Sequence, residues 1–408
     1  MKSTNKTRAL GMLALAVACT AGSQLAFAQA KTLAAALSRG TVSGTFNLRY
    51  EEVNEDNALQ TAKGLTLRSA IKYTTGTMEG FTGVAEFEDV RIVGGMGDYS
   101  LPQTAYKTGV YSTIADPAVT ELNQGFLQYN DGRYTVKLGR QDIRYDNTRF
   151  VGAVPWRQDF QSFDALTLGY KNEAALSIDY NYIGKRNRIF AQAADIDSKD
   201  HLMHLVYPTP IGSLVAYSYL IRDDILLNNK LDTYGVRLTG AKHVGSVDTT
   251  YILEYASQKY IRGAASYKAD YYTLEGGATL GPVSSKLGYE FLGSDRGLYG
   301  FSTPLATLHL FQGWADQFLT TPTQGIKDAY VSFAGAVAGG TLTVAYHDYK
   351  ADEKTALINS LGTETNLQWT LPIKNNYTFG VKYAAYQHGD LAAKVDKNIF
   401  WTWFTVTF

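Results

Sequence analysis

The chain is poor in residues on which several protein classes depend. It has one cysteine, Cys19, and 9 prolines among 408 residues. A single thiol excludes an internal disulfide framework or a thiolate metal cluster, and beyond the N-terminal segment there is no thiol nucleophile. No apolar run of roughly 18 residues, the length a spanning helix needs, follows the first 28 positions. An excess of one charge is missing too, with 38 basic residues against 38 acidic ones. Net charge therefore argues for no nucleic-acid partner, and electrostatic selectivity has to come from where the charges sit.

The N-terminus is patterned as a secretory signal. Lys2, Lys6 and Arg8 form a basic region, and Ala9 to Ala18 is apolar but too short to span. Ala26-Phe27-Ala28 supplies a cleavage site, so residues 1–28 are expected to be removed after Sec export, leaving Gln29 first. The rival reading, acylation of Cys19 in a lipoprotein signal, meets Ala16 where Leu is usual. Cleavage leaves 35 basic and 38 acidic residues. The chain is rich in tyrosine (29) and glycine (38). An exported chain without spanning helices can still cross lipid as a closed β-barrel, which satisfies every backbone polar group internally.

Residues 29–41 form a periplasmic segment with room for a short helix within 31–40. From Val42 to Tyr50 the sequence alternates, with even positions apolar or Gly and odd positions polar. The same alternation marks 65–74, 176–182, 213–221, 231–239, 283–292, 341–348 and 363–371. Weaker segments of suitable length are 81–91, 121–129, 134–141, 163–171, 201–207, 247–257, 268–280, 326–334 and 377–386. With 397–408 the count is eighteen, and sixteen is the other even number compatible with the pattern. Connections at 130–133, 172–175, 208–212, 240–246, 281–282, 335–340 and 372–376 are short. Those at 92–120, 142–162, 183–200, 293–325, 349–362 and 387–396 are longer. Strict short–long alternation predicts an all-β, up-and-down, antiparallel transmembrane barrel over 42–408, in the outer membrane of a Gram-negative cell. Phe400, Thr402, Phe404, Val406 and Phe408 share one face, as in a closing strand recognised by the barrel-insertion machinery. Tyr50, Tyr73, Tyr129, Tyr134, Tyr180, Tyr182 and Tyr207 sit at segment ends, where interface girdles form.

Two connections carry unusual sequence. Gly139-Arg140-Gln141-Asp142-Ile143-Arg144-Tyr145-Asp146-Asn147-Thr148-Arg149-Phe150-Val151-Gly152 is followed by Pro155-Trp156-Arg157-Gln158-Asp159-Phe160-Gln161-Ser162-Phe163-Asp164. Charges and aromatics interleaved in this way suit a loop folded into the lumen, shaped by Arg–Asp pairs, with unpaired arginines facing a permeant. The alternative is that every arginine braces the loop. The second stretch, Phe301 to Phe318 continuing to Asp328, is apolar and aromatic, and predicts an ordered, packed connection.

Both stretches, Gly-Arg-Gln…Trp-Arg-Gln…Phe-Asp and Thr-Pro-Leu-Ala-Thr-Leu-His…Gly-Trp-Ala-Asp, resemble the alginate-export family of outer-membrane channels, as does Phe-Trp-Thr-Trp-Phe-Thr-Val-Thr-Phe at the end. The resemblance covers 42–408. It implies a monomeric eighteen-stranded barrel with a basic constriction, passing an anionic polysaccharide outward. On strand parity and that resemblance, the substrate-path candidates are Arg49, Arg68, Arg140, Arg144, Arg149 and Arg157. Trp156, Asp164, His309, Trp314 and Asp316 are the loop-motif residues. The inward face also carries acids, and neighbouring strands place Glu51 to meet Arg68 and Glu290 to meet a base. The same barrel would also serve uptake of small acids, sugars or aromatic compounds, and an adhesin or scaffold role is a third reading. No nucleophile–base pair nominates an enzyme, and His201 and His204 fall on opposite faces of a strand. No cofactor is implied, and no ligand-spaced motif supports a loop-bound Ca²⁺.

Overall fold

The alternating segments form eighteen antiparallel strands. The computed structural model describes residues 30–223 and 229–408; the export signal, its cleavage site and Cys19 lie outside the described residues. In chain order the first nine strands are β1 (Thr41–Glu55), β2 (Ala62–Thr74), β3 (Phe81–Asp98), β4 (Val119–Asn130), β5 (Tyr134–Gln141), β6 (Ser162–Lys171), β7 (Ser177–Asn187), β8 (Ile196–Thr209) and β9 (Gly212–Arg222). The second nine are β10 (Asn229–Val244), β11 (Val247–Arg262), β12 (Ala265–Leu280), β13 (Val283–Leu292), β14 (Ile326–Val337), β15 (Gly340–Lys350), β16 (Ser360–Ile373), β17 (Tyr377–His388) and β18 (Lys397–Thr407). Each strand pairs with the next, and β1 also pairs with β18, from Thr45 opposite Thr407 to Glu55 opposite Lys397. That last pairing closes the barrel and leaves no open edge. Among the described residues there are eighteen strands, not sixteen.

Period-two alternation sorts the side chains as expected. In β1, Phe46 and Leu48 face outward while Arg49, Glu51 and Val53 are buried inside. In β18, Phe400 and Phe404 face outward and Trp401 and Ile399 inward. Tyr134, Tyr182 and Tyr207 are exposed, and the aromatic pairs Phe81–Tyr129 and Tyr134–Tyr170 meet in tilted contacts at 5.1 and 5.5 Å near the short turns. Leu287, in the middle of β13, is 70% exposed. Leu287→Arg is expected to destabilise the barrel by about 1–4 kcal/mol, according to depth in the apolar band. Urea unfolding in phosphocholine vesicles measures this, and an unchanged midpoint would remove Leu287 from the lipid face.

The short connections gather at one end. Between β12 and β13 the turn is Gly281-Pro282, and the φ of +58° at Gly281 is one that glycine adopts without steric cost. At the same end lies helix α1 (Leu33–Ser38), whose N-cap Thr32 accepts the Ala35 N–H at 3.2 Å. It is tied to the β2–β3 turn by Ala30 N–H to Thr77 O (2.8 Å) and Gly76 N–H to Ala36 O (2.9 Å).

The long connections gather at the other end, with two exceptions to strict alternation: the β1–β2 and β2–β3 connections, 56–61 and 75–80, are equal in length, and β11–β12 is short. Strands β11 and β12 run past the expected 257 and 268 and join there through Gly263 and Ala264 alone. β3 likewise continues to Asp98 rather than stopping at 91. Three connections send buried residues into the lumen: Tyr99, Leu101 and Ile114 of 99–118, Phe150 and Val151 of 142–161, and Phe301, Leu305 and Phe318 of 293–325. Phe150 packs on Tyr217 and Tyr271 of the wall, each at 5.2 Å, and Phe318 packs on Tyr349 at 4.9 Å. Among the described residues, no helix is long and apolar enough to cross a membrane; the strands do so.

Candidate functional site

Two inward connections meet backbone to backbone. Val151 and Leu305 form a parallel bridge. Gly152 N–H donates to Leu305 O at 2.8 Å, and Thr307 N–H to Thr148 O at 3.0 Å. The Gln161 side chain binds both Gly152 O (2.8 Å) and Leu305 O (3.2 Å). The second connection is ordered, with a single 3-10 turn at Leu308–Leu310. The two motif-bearing stretches therefore make one plug in the long-loop half of the barrel.

Arginine–carboxylate pairs fix that plug to the wall. Arg157 is buried and spans Glu51 of β1 (3.1 Å) and Asp316 of the second connection (2.7 Å). Arg49 binds Asp116 of the 99–118 connection and the Trp156 carbonyl, while Asp116 Oδ1 accepts Gln158 N–H at 3.0 Å. Arg149 pairs with Glu290 of β13 at 2.7 Å and lies over the Phe311 ring at 4.7 Å. Arg68 pairs with Glu88 at 2.7 Å and covers Phe160 at 4.0 Å. The expected meeting of Glu51 with Arg68 does not occur, because the β1–β2 register sets Arg68 opposite Asn47 and Glu51 opposite Gly64; Glu51 takes Arg157 of the loop instead. Glu290 does meet a base, Arg149. Arg140 binds Asp164 of the adjacent β6 with two nitrogens, at 2.7 and 3.2 Å. Arg144 pairs with Asp142 at 2.5 Å and is 30% exposed.

Lys382 of β17 sits in an aromatic box that sequence reasoning did not nominate as a site. Its Nζ is 4.1 Å from the ring centroids of both Trp156 and Trp314 and 5.4 Å from that of Trp401. It contacts His309 Nε2 at 2.7 Å. His309 stacks flat on Trp156 at 4.9 Å, and its Nδ1 meets Asp316 at 2.9 Å. Burial pushes His309 down to about 3, more than Asp316 opposes, with Lys382 and Arg157 adding to the fall. The ring is therefore neutral, with Nδ1–H donating to Asp316 and Nε2 accepting from Lys382. Burial opposes charge on Asp316, yet His309 and Arg157 hold its carboxyl below the usual range. The motif thus brings Trp156, Arg157, His309, Trp314 and Asp316 into one cluster. Arg140 and Asp164 stand apart on the wall. His204 is buried and bonded to Asp146 at 3.0 Å, whereas His201 binds Tyr180 at 2.7 Å, so the two stay separate.

The short-turn half holds two cavities on different parts of the wall. One, of about 620 Å³, is lined by Arg68, Lys72, Glu86, Asp142, Arg144 and Phe160 among others. The other, of about 260 Å³, is lined by Tyr271, Phe311, Trp314 and Tyr330 together with Glu275, Lys286 and Glu290.

A closed eighteen-stranded barrel with long loops folded into its lumen defines an outer-membrane channel. The sequence profile described as alginate export matches residues 38–291, more than half of the chain. The chain belongs to the alginate export family. The first loop motif lies inside the matched span; the second, and the closing strand, lie beyond it. No curated protein matches the chain in sequence. In fold it is similar to OccAB1 of Acinetobacter baumannii, with a TM-score of 0.72 at 11% identity, covering 91% of this chain and 97% of that one. OccAB4 of the same species gives 0.71 at 15% identity, over 90% and 98%. OpdK of Pseudomonas aeruginosa, solved with vanillate, gives 0.70 at 12% identity, over 91% and 99%. The family and fold are those of channels.

Proposed function

We propose that this channel carries an anionic uronate-type poly- or oligosaccharide outward by diffusion, entering through the vestibule at Arg68, Lys72 and Arg144. The supporting observation is the larger cavity, which these three cations line with Glu86 and Asp142; Lys72 pairs with Glu86 at 2.8 Å, Arg144 with Asp142 at 2.5 Å and Arg68 with Glu88 behind the lining at 2.7 Å. Lys72 and Arg144 are its most accessible cations, with side chains 36% and 30% exposed. In this reading they and Arg68 touch the permeant. Arg49, Arg140, Arg149 and Arg157 set the shape of the constriction through their carboxylate partners. The protein works as a monomer without enzymatic activity. It reaches the outer membrane by Sec export, with loss of residues 1–28, and is inserted by the machinery that reads its terminal aromatic strand.

Planar-bilayer recording tests the proposal. The purified barrel is expected to be anion-selective and its current to be blocked by polyuronate. Lys72→Glu with Arg144→Glu should move the reversal potential toward cation selectivity by reversing the vestibule's charge balance. A cation-selective wild type unaffected by polyuronate would overturn the reading. A second reading, uptake of a small aromatic compound, is supported by the rings that line the smaller cavity, Tyr271, Phe311, Trp314 and Tyr330. In that case an uncharged aromatic compound would block the current and polyuronate would not.

A further inference from the structure

The contact between the first inward connection and the wall contains an acidic group that the permeation path does not use. Glu88 of β3, Glu121 of β4 and Asp159 of the connection each bring one carboxylate oxygen within 4.8 Å of the others. Their other partners are few. Glu88 is bound by Arg68, through Nη2 at 2.7 Å and Nε at 2.8 Å, and by Phe160 N–H at 3.4 Å. Asp159 is 0% exposed, and its Oδ2 accepts the Ala191 N–H at 2.9 Å. Its Oδ1 is buried with no hydrogen-bond partner, and Glu121 Oε1 is in the same position. Arg140, whose charge reaches Glu121, is committed to Asp164.

One guanidinium among three gathered carboxylates leaves two negative charges without a counter-charge of their own, with Glu88 and Asp159 buried and Glu121 half-buried. Such charges persist only if protons or a cation join them. We propose that Glu88, Glu121 and Asp159 form a binding site for a hard divalent cation of the calcium class. Ca²⁺ bonds oxygen at about 2.3–2.6 Å, so two of its ligands can stand up to roughly 5 Å apart. Three oxygens within 4.8 Å of one another fit around one such ion. An all-oxygen, all-carboxylate set matches calcium and not the softer metals that prefer nitrogen and sulfur. The unpartnered Oδ1 of Asp159 supplies a ligand from the loop, and Glu88 and Glu121 supply ligands from the wall. The ion would clamp the plug beside Arg157 and Gln158, sharing Glu88 with Arg68.

The test uses the whole protein in detergent, freed of divalent ions with EDTA and then titrated with Ca²⁺ by calorimetry. One Ca²⁺ per chain is expected to bind, with a dissociation constant between about 10⁻⁶ and 10⁻³ M, and to raise the thermal unfolding midpoint. Asp159→Asn and Glu121→Gln should each weaken binding by at least about tenfold, since each removes a charged ligand. Glu353→Gln, at an exposed loop carboxylate, should bind as wild type does. If Asp159→Asn fails to fold, the Glu121→Gln arm decides alone. A wild type with no heat of Ca²⁺ binding and the same midpoint in EDTA would overturn the site and leave the carboxyls sharing protons. Undiminished binding in the folded site variants would overturn it equally.

Discussion

Replacing Arg157 with methionine is expected to loosen the plug by about 3–5 kcal/mol and to raise single-channel conductance. The Arg157 guanidinium is buried between Glu51 of the wall at 3.1 Å and Asp316 of the second connection at 2.7 Å. Methionine keeps much of the stem's volume, so the loss is one of charge rather than of packing. Glu51 is then left with Arg49 at 3.8 Å and Asp316 with the neutral His309 alone, both buried, the situation in which breaking a buried pair costs most. The disturbance has a route onward, because Asp316 also holds His309, and His309 contacts Lys382 inside its tryptophan box. Conductance in planar bilayers and protease cleavage within 142–161 are the readouts. Wild-type values for both would mean that apolar contacts alone hold the plug. Adding Glu51→Gln should recover part of the loss, since it removes one of the stranded charges.

Much of the barrel was legible because lipid imposes a strict rule on strands. Along β1 every second residue must be apolar, and Phe46 and Leu48 obey this while Arg49 and Glu51 occupy the other face. The pattern fades toward the long-loop end, where the lumen is filled by protein rather than water. There Val53, Ala256, Tyr271 and Tyr349 face inward and are buried against the plug or its rim. With apolar residues on both faces, alternation vanishes. The extra residues of β3 and β11 were hidden for another reason: 92–98 contains Gly94, Gly95 and Gly97, and 258–262 contains Gln258, Lys259 and Arg262, so neither carries an apolar face. The same filling explains tyrosines that are not girdle residues: Tyr217 and Tyr219 stack at 4.7 Å inside the barrel. The motifs marked Trp156, Arg157, His309 and Asp316, but not their partners. Arg157 lies 106 positions from Glu51 and Lys382 lies 73 from His309. Only the inward fold of two loops creates those contacts, and no periodicity records it. Asp116 and Gln158 were missed for the same reason.

Gly152→Val is expected to have the larger effect on the plug, because it attacks the seam between the two connections. A Cβ at residue 152 would lie 2.2 Å from Thr307 Oγ1 and 2.8 Å from Thr148 Cβ. Neither is the far end of a flexible chain, and both neighbours are held by the Thr307 N–H to Thr148 O hydrogen bond at 3.0 Å. Valine adds two methyl groups beyond a Cβ that already has no room, so the strands of the seam must part. Parting them breaks the Gly152–Leu305 and Thr307–Thr148 hydrogen bonds and strands their buried partners, at about 1–3 kcal/mol for each unsatisfied group. The barrel wall should survive, since its pairing runs around the ring and through β1–β18 without using the seam. Far-UV circular dichroism is therefore expected to be unchanged while conductance rises. Gly152→Ala should give a smaller rise, because a single methyl requires a smaller shift. If valine leaves conductance at the wild-type value while Arg157→Met raises it, the two connections do not act as one body and the arginine alone holds the constriction. A rise in both, to a common level, would mean that they release the same element.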